Sequence, residues 1–177
     1  QAEIGWMYET LHTDGKTKGR IEYTVWSQLY SCPVCAGEVN FTEEALDGES
    51  KRVKDVFPCP HCGAELTKSR LERLYSNKLD PSTGKTIQVP KRAATLIVYT
   101  VGKMRYEKKP TGNDLAVLQH IESLPLPPQV PTIEIPPMHM THERARMDYA
   151  GVTHVHHFFL PRAAQAMGRL WAKAKAH

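Results

Sequence analysis

The sequence predicts an α+β fold: a zinc-ribbon-like β module with a β-hairpin, followed by helices joined by a proline-rich linker. Three observations predict it. Two Cys-Pro-x-Cys pairs, at Cys32 and Cys35 and at Cys59 and Cys62, each follow a strand-like run. The stretch from Leu96 to Lys109 reads as two strands folded about Gly102-Lys103. An Ala-rich, basic segment closes the chain behind a stretch crowded with prolines.

Residues 1–12 read as a strand or buried arm, ending in the polar turn Thr13-Asp14-Gly15-Lys16. Ile21 to Tyr30 is rich in Tyr, Val, Thr and Trp, which favours a strand leading into Cys32. Glu38 to Phe41 can return as its partner. Glu43 to Lys54 is charged and carries Asp47-Gly48, so a short helix and surface loop are expected there. Val56-Phe57 approaches the second cysteine pair and Glu65-Leu66 leaves it. Thr67 is placed to cap a short helix, Lys68 to Tyr75.

Asp80-Pro81-Ser82-Thr83-Gly84 is a turn. In the hairpin, Gly102 suits the first position of a type II′ turn. That register sets Val101 opposite Met104, Tyr99 opposite Tyr106 and Ile97 opposite Lys108, with Ile97, Tyr99, Val101, Met104 and Tyr106 on one apolar face. Thr111 caps a helix of about a dozen residues whose apolar face is Leu115, Leu118 and Ile121, with Leu124 as its candidate extension. Leu124 to Pro137 is an extended connector. Thr141, with Arg144 to Tyr149, starts a short helix that Gly151 stops. Pro161 suits the first position of the last helix, which runs through Ala163 to Ala176. The expected division is 1–66, arm and zinc-ribbon-like module; 67–110, basic helix plus hairpin; 111–177, helical segment with the proline-rich connector.

With 177 residues, 41% hydrophobic and 24% charged, the chain is globular, which excludes collagen-like, low-complexity and disordered classes. Its apolar runs, such as Leu96-Ile97-Val98, fall far short of the ~20 residues that span a bilayer. No charged-then-apolar leader opens it, so a cytoplasmic location without a membrane partner is expected. The start at Gln1, in mid-pattern, suggests a piece of something larger.

The cysteines carry the firmest chemistry. Each Cys-x-x-Cys turn aims two sulfurs at one point, and four thiolates fill the tetrahedral shell of Zn²⁺. No position is then left for water or substrate, so Zn²⁺ bound by Cys32, Cys35, Cys59 and Cys62 is expected to be structural. Its binding contributes on the order of 10 kcal/mol to folding. Iron in a rubredoxin-like site and a redox-active pair are the rivals; a redox pair wants a helix start in a βαβ setting. His61 could replace a cysteine, but its place between Pro60 and Cys62 reads as an exposed knuckle residue. Cys35 is followed by Ala36-Gly37 where Cys62 is followed directly by Gly63, which predicts a different local turn.

Between Lys68 and Lys109 stand eleven Lys or Arg against three acids, whereas Glu38 to Asp55 has six acids to three bases. Lys91, Arg92, Lys103, Arg105, Lys108 and Lys109 are the candidates for contact with nucleic-acid phosphates, with Tyr99 and Tyr106 as candidate stacking partners. A solvated hairpin face with tyrosines in the core is the competing reading. His139, His142, His154, His156 and His157 fall close together and could assemble a second metal site. Packing and hydrogen-bonding roles are commoner for such histidines, and no acid stands among them in a recurrent ligand spacing. No Gly-x-Gly-x-x-Gly, Gly-x-Ser-x-Gly or Walker loop occurs, so no catalysis by this chain alone is expected.

Gly5-Trp6-Met7-Tyr8-Glu9-Thr10, Thr24-Val25-Trp26-Ser27, the paired knuckles, Pro136-Pro137-Met138-His139 and Gly151 to Gln165 together resemble one family. It is the bacterial DNA methyltransferases of the adenine/cytosine exocyclic-amine type, often found in restriction or phage-defence settings. The resemblance implies a zinc-bearing insert that helps a methyltransferase bind DNA or recognise its target. The S-adenosylmethionine-binding and Asp-Pro-Pro-aromatic segments would then lie in the flanking catalytic domain of a parent protein, because this chain has neither. It also implies that Phe159 to Arg162 open a helix packed on that domain, with Arg162 facing substrate. The alternatives are a protein-interaction or scaffolding zinc module with no DNA role, and a metalloenzyme using the histidines.

Overall fold

The computed structural model describes residues 3–48, 50, 52–137 and 142–176. Its elements, in chain order, begin with a 3-10 turn at Gly5–Tyr8, β1 (Glu9–Leu11) and the 14-residue β2 (Lys18–Ser31). Around the cysteines come β3 (Glu38–Asn40), α1 (Phe41–Ala45), β4 (Phe57–Pro58) and β5 (Glu65–Leu66). Next are β6 (Glu72–Arg73), β7 (Tyr75–Asp80), β8 (Lys85–Pro90), β9 (Arg92–Val101) and β10 (Met104–Lys108). The chain ends with α2 (Gly112–Ser123), α3 (Arg144–Ala150), a 3-10 turn at Val155–Phe158, and α4 (Pro161–Lys175).

The β-branched and aromatic residues of Ile21 to Tyr30 make β2 the spine of the molecule. Along its first part it pairs with β1 and β9, giving the antiparallel order β1-β2-β9-β10. At its far end it pairs with β3 and β6 instead. Two irregularities, at Ile21/Tyr23 and Val25/Trp26, break the register against β9. Bulges of this kind bend and twist a sheet, and the sheet curls. The same strand therefore delivers the chain from the hairpin sheet to Cys32.

The hairpin register is the expected one, with Met104 opposite Val101, Tyr106 opposite Tyr99 and Lys108 opposite Ile97. Ile97 and Tyr99 are buried with Ile21 in a core that Val101 and Tyr106 flank. The apolar face runs out at the tip, where Met104 is 63% exposed. A second core, of Tyr30, Val39, Ala45, Phe57, Leu66 and Leu71, surrounds the buried cysteines Cys32 and Cys59.

Two expectations are corrected and one is extended. The helix expected over Lys68 to Tyr75 shrinks to a 3-10 turn at Lys68–Arg70. The residues after it become β6 and β7, because pairing with β2 and β8 outweighs a weak local helix preference. The Asp80–Gly84 turn thus closes a β7–β8 hairpin, with Gly84 at φ +67°. The proline connector, expected only to be extended, is in addition docked at several points. Gln165 Nε2 donates to the Pro125 carbonyl at 2.8 Å, and Gly168 is bare where Pro127 lies against α4. Farther on, the Ile135 N–H donates to Thr153 O and the Val155 N–H to Ile133 O. Finally, the helical face of α2 is only partly interior: Ile121 is buried, while Leu115 is 49% exposed.

The expected caps are present. Thr111 and Asp114 form a capping box on α2, Pro161 opens α4, and Gly151 ends α3 at φ +68°. Thr141 and His139 lie outside the described residues. Among the described residues, no helix is long and apolar enough to cross a membrane.

Candidate metal centre

Each cysteine pair is held by the same small set of backbone bonds. The Ala36 N–H donates to Cys32 O and the Gly63 N–H to Cys59 O, both at 2.9 Å. The Cys32 N–H donates to Gly37 O at 2.9 Å and the Cys59 N–H to Ala64 O at 2.8 Å. The two turns are therefore copies of one another, and they bring four sulfurs together. Cys32 Sγ lies 3.9 Å from Cys62 Sγ, and Cys35 Sγ lies 3.8 Å from Cys59 Sγ. All four ligand atoms lie within 4.8 Å of one another. All four cysteines are free thiols, at distances about twice a disulfide bond. A tetrahedral Zn²⁺ with Zn–S near 2.3 Å needs sulfurs about 3.8 Å apart, so the donor set fits such an ion.

The expected difference between the knuckles is not found. Ala36, at φ +56°, takes the left-handed conformation that Gly63 takes at φ +72°. The glycine is one position later for a steric reason. A Cβ on Gly37 would strike the His61 ring and crowd Cys35 Sγ. His61 lies there because its Nε2–H donates to Glu38 O at 2.8 Å, tying the second knuckle to the strand after the first. His61 is thus exposed and outside the sulfur set, as expected.

The thiols are not equivalent. The Cys35 N–H, helped by the Val34 N–H and opposed by burial, brings Cys32 down to about 6. The Gly37 N–H favours a thiolate at Cys35, but burial and the three neighbouring sulfurs outweigh it and push that thiol up to about 12. Four thiolates cannot crowd together unaided; a cation must displace protons to hold them.

The six basic candidates are placed less favourably for phosphate contact. Lys91 pairs with Glu38 at 2.8 Å, Arg105 with Glu22 at 3.2 Å and Lys109 with Glu43 at 2.9 Å. Lys108 is interior. Its side chain is 7% exposed, pairs with Asp114 at 2.9 Å and donates to Leu11 O. Arg92 and Lys103 are exposed and form no ion pair among the described residues. Tyr99 is fully buried with its hydroxyl on His12 at 2.8 Å, so it belongs to the core and not to a stacking surface.

The histidines divide. His142 Nε2 bonds Asp148 at 2.8 Å. His154, His156 and His157 gather with ring centroids 4.2–5.6 Å apart. Sequence reasoning missed their fourth member. Asp80, only 5% exposed, sits among them with Oδ2 3.1 Å from His156 Nε2 and 3.3 Å from His157 Nε2. Burial works against the ionised Asp80, but the Thr83 hydroxyl, the Ser82 N–H and the imidazoles outweigh it and bring the carboxyl to about 2. An aspartate opening a turn gives no sequence sign that its side chain is buried against residues 76 positions away.

Asp80, His156 and His157 line an open cavity of about 920 Å³, together with Tyr23, Trp26 and Arg162. Arg162 donates to Thr24 Oγ1 at 3.2 Å and lies over the Tyr8 ring, while its Nε is buried without a partner among the described residues. Burial lowers its pKa.

No family model, curated protein or solved structure matches this chain.

Proposed function

We propose that this chain is a zinc-ribbon-like accessory module of a cytoplasmic DNA methyltransferase, in which Zn²⁺ on Cys32, Cys35, Cys59 and Cys62 is structural. The observation that carries the metal reading is the pair of 3.8 and 3.9 Å sulfur separations, which match a tetrahedral tetrathiolate edge. A shell filled by four sulfurs has no site for a reactant, so the ion acts on folding. It fixes the end of β2, and through β2 the hairpin sheet. The methyltransferase context rests on the sequence resemblance alone.

DNA contact in this reading falls to exposed cations that pair with no acid among the described residues, Arg92 and Lys103 first. Lys108 is left out because its ammonium neutralises Asp114 inside the fold. Phosphate contacts make binding steeply salt-dependent. The test is fluorescence anisotropy of the zinc-loaded chain on duplex DNA at two salt concentrations, with Arg92→Glu and Lys103→Glu. Affinity should fall with salt, and charge reversal should weaken it further. Salt-insensitive or absent binding would remove the DNA role.

A specific observation favours the alternative of a protein-docking module. Leu170, Trp171 and Phe158 are 59%, 56% and 57% exposed along or beside α4, and four of the six basic candidates are already ion-paired. Under that reading the charge reversals leave DNA affinity unchanged.

A further inference from the structure

We propose that Asp80, His156 and His157 form a second metal centre, for a divalent cation of borderline softness such as Zn²⁺, Co²⁺ or Ni²⁺. One carboxylate and two imidazoles are the donors such ions take. The separations suit such an ion as well as they suit hydrogen bonds. An ion held by N and O atoms at about 2.0–2.1 Å sets neighbouring donor atoms roughly 3.0–3.4 Å apart. Asp80 Oδ2 lies 3.1 Å from His156 Nε2 and 3.3 Å from His157 Nε2. Both separations fall in that range, and both are long for a charge-assisted imidazole–carboxylate bond, which is about 2.7–2.9 Å.

The surroundings supply what a ligand set needs from its neighbours. Thr83 Oγ1 donates to Asp80 Oδ2 at 2.6 Å and the Ser82 N–H to Oδ1 at 3.0 Å, which orients the carboxylate. His157 Nδ1 receives the Thr153 N–H at 3.2 Å and has Thr153 Oγ1 at 3.3 Å. Without a metal, each Nε2 carries the proton that faces Asp80. With the cation bound, the imidazoles stay neutral and the proton sits on Nδ1; at His157 the Thr153 N–H bond to Nδ1 is then given up and Thr153 Oγ1, 3.3 Å away, accepts that proton. Three protein donors leave coordination positions free, and all three residues line the cavity. The centre is therefore of the open type, unlike the four-sulfur shell.

The experiment is titration of the whole chain, stripped with chelator, with Co²⁺ alone, followed by absorption and elemental analysis. The expected result is about two equivalents bound. One gives intense thiolate-to-cobalt bands, and the other gives only weak ligand-field bands. Asp80→Asn and His156→Gln should abolish the weak bands, lower second-site affinity at least about 10-fold and leave the thiolate bands intact. Saturation of the wild-type chain at one equivalent, all of it in the thiolate bands, would overturn the proposal. That result needs no variant, so poor folding of either substitution does not shield it. Loss of the thiolate bands with the weak bands retained would instead overturn the cysteine reading and support this one.

Discussion

Cys32, Cys35, Cys59 and Cys62 reach one point through two short turns, each closed by its own backbone bonds. Asp80, His156 and His157 reach theirs only after a hairpin, two helices and a docked connector have been placed, across 76 positions of sequence. The first cluster is complete in donors, two buried and two exposed; the second has three donors and stands in a cavity wall. The contrast teaches that donor geometry written into a local turn survives changes elsewhere in the fold, whereas geometry assembled from distant segments inherits every weakness of the packing between them. The two ends should therefore fail under different insults.

The largest expected effect is at the cysteine end. Cys35→Ser, or stripping with a chelator, should unfold the module around Tyr30, Phe57 and Leu66, since structural zinc contributes on the order of 10 kcal/mol. Amide exchange should show protection lost across β3 to β5 and retained in α2 and α4. If both ends lost protection together, the comparison would fail.

Asp114→Ala should cost the helical end about 3–5 kcal/mol, because it leaves the Lys108 ammonium buried and unpaired and removes the α2 capping box. Denaturant melts read this, and zinc stoichiometry should not change. Acid should act on the same knot more weakly. Burial raises the Asp114 carboxyl, but Thr10, Lys108 and Thr111 outweigh it, so it titrates below its ordinary 3.8. A carboxyl depressed in the folded state stabilises above its unfolded value and loses that contribution as pH falls towards the folded one. The stability gap between wild type and Asp114→Asn should hold steady from neutral pH to about 5, then shrink below about 4.

The smallest effect sharpens the reading of the knuckles. Ala36→Gly should stabilise by up to about 1 kcal/mol by relieving the left-handed alanine, whereas Gly37→Ala should destabilise by driving into His61. Competition for zinc against a chelator measures both. Equal behaviour of the two would mean that His61 does not dictate where the glycine stands.

How much of this was legible in the sequence follows the same divide. The β9–β10 register, the Thr111 cap, the Pro161 start and the sulfur cluster rest on signals a few residues long, and the structure bears them out. β6 and the start of β7 were missed because Lys68 to Tyr75 offers a passable helix, and only pairing partners decide against it. Lys108 looked like a surface cation because nothing near it in sequence announces Asp114 as a buried partner across a helix start. Asp80 looked like a turn former because it is one. Its second role depends on where the C-terminal third packs.

The bond from Thr10 to Asp114 joins residues 104 apart, and Lys108 reaches back to Leu11 from beside it. A ribosome adding about 5–20 residues per second makes that interval one of roughly 5–20 s. During this wait the nascent N-terminal arm has no anchor at its polar contact. Under the zinc reading the cysteine end can fold meanwhile, with β1 already paired to β2, so that Asp114 completes the docking of the arm last, when α2 emerges.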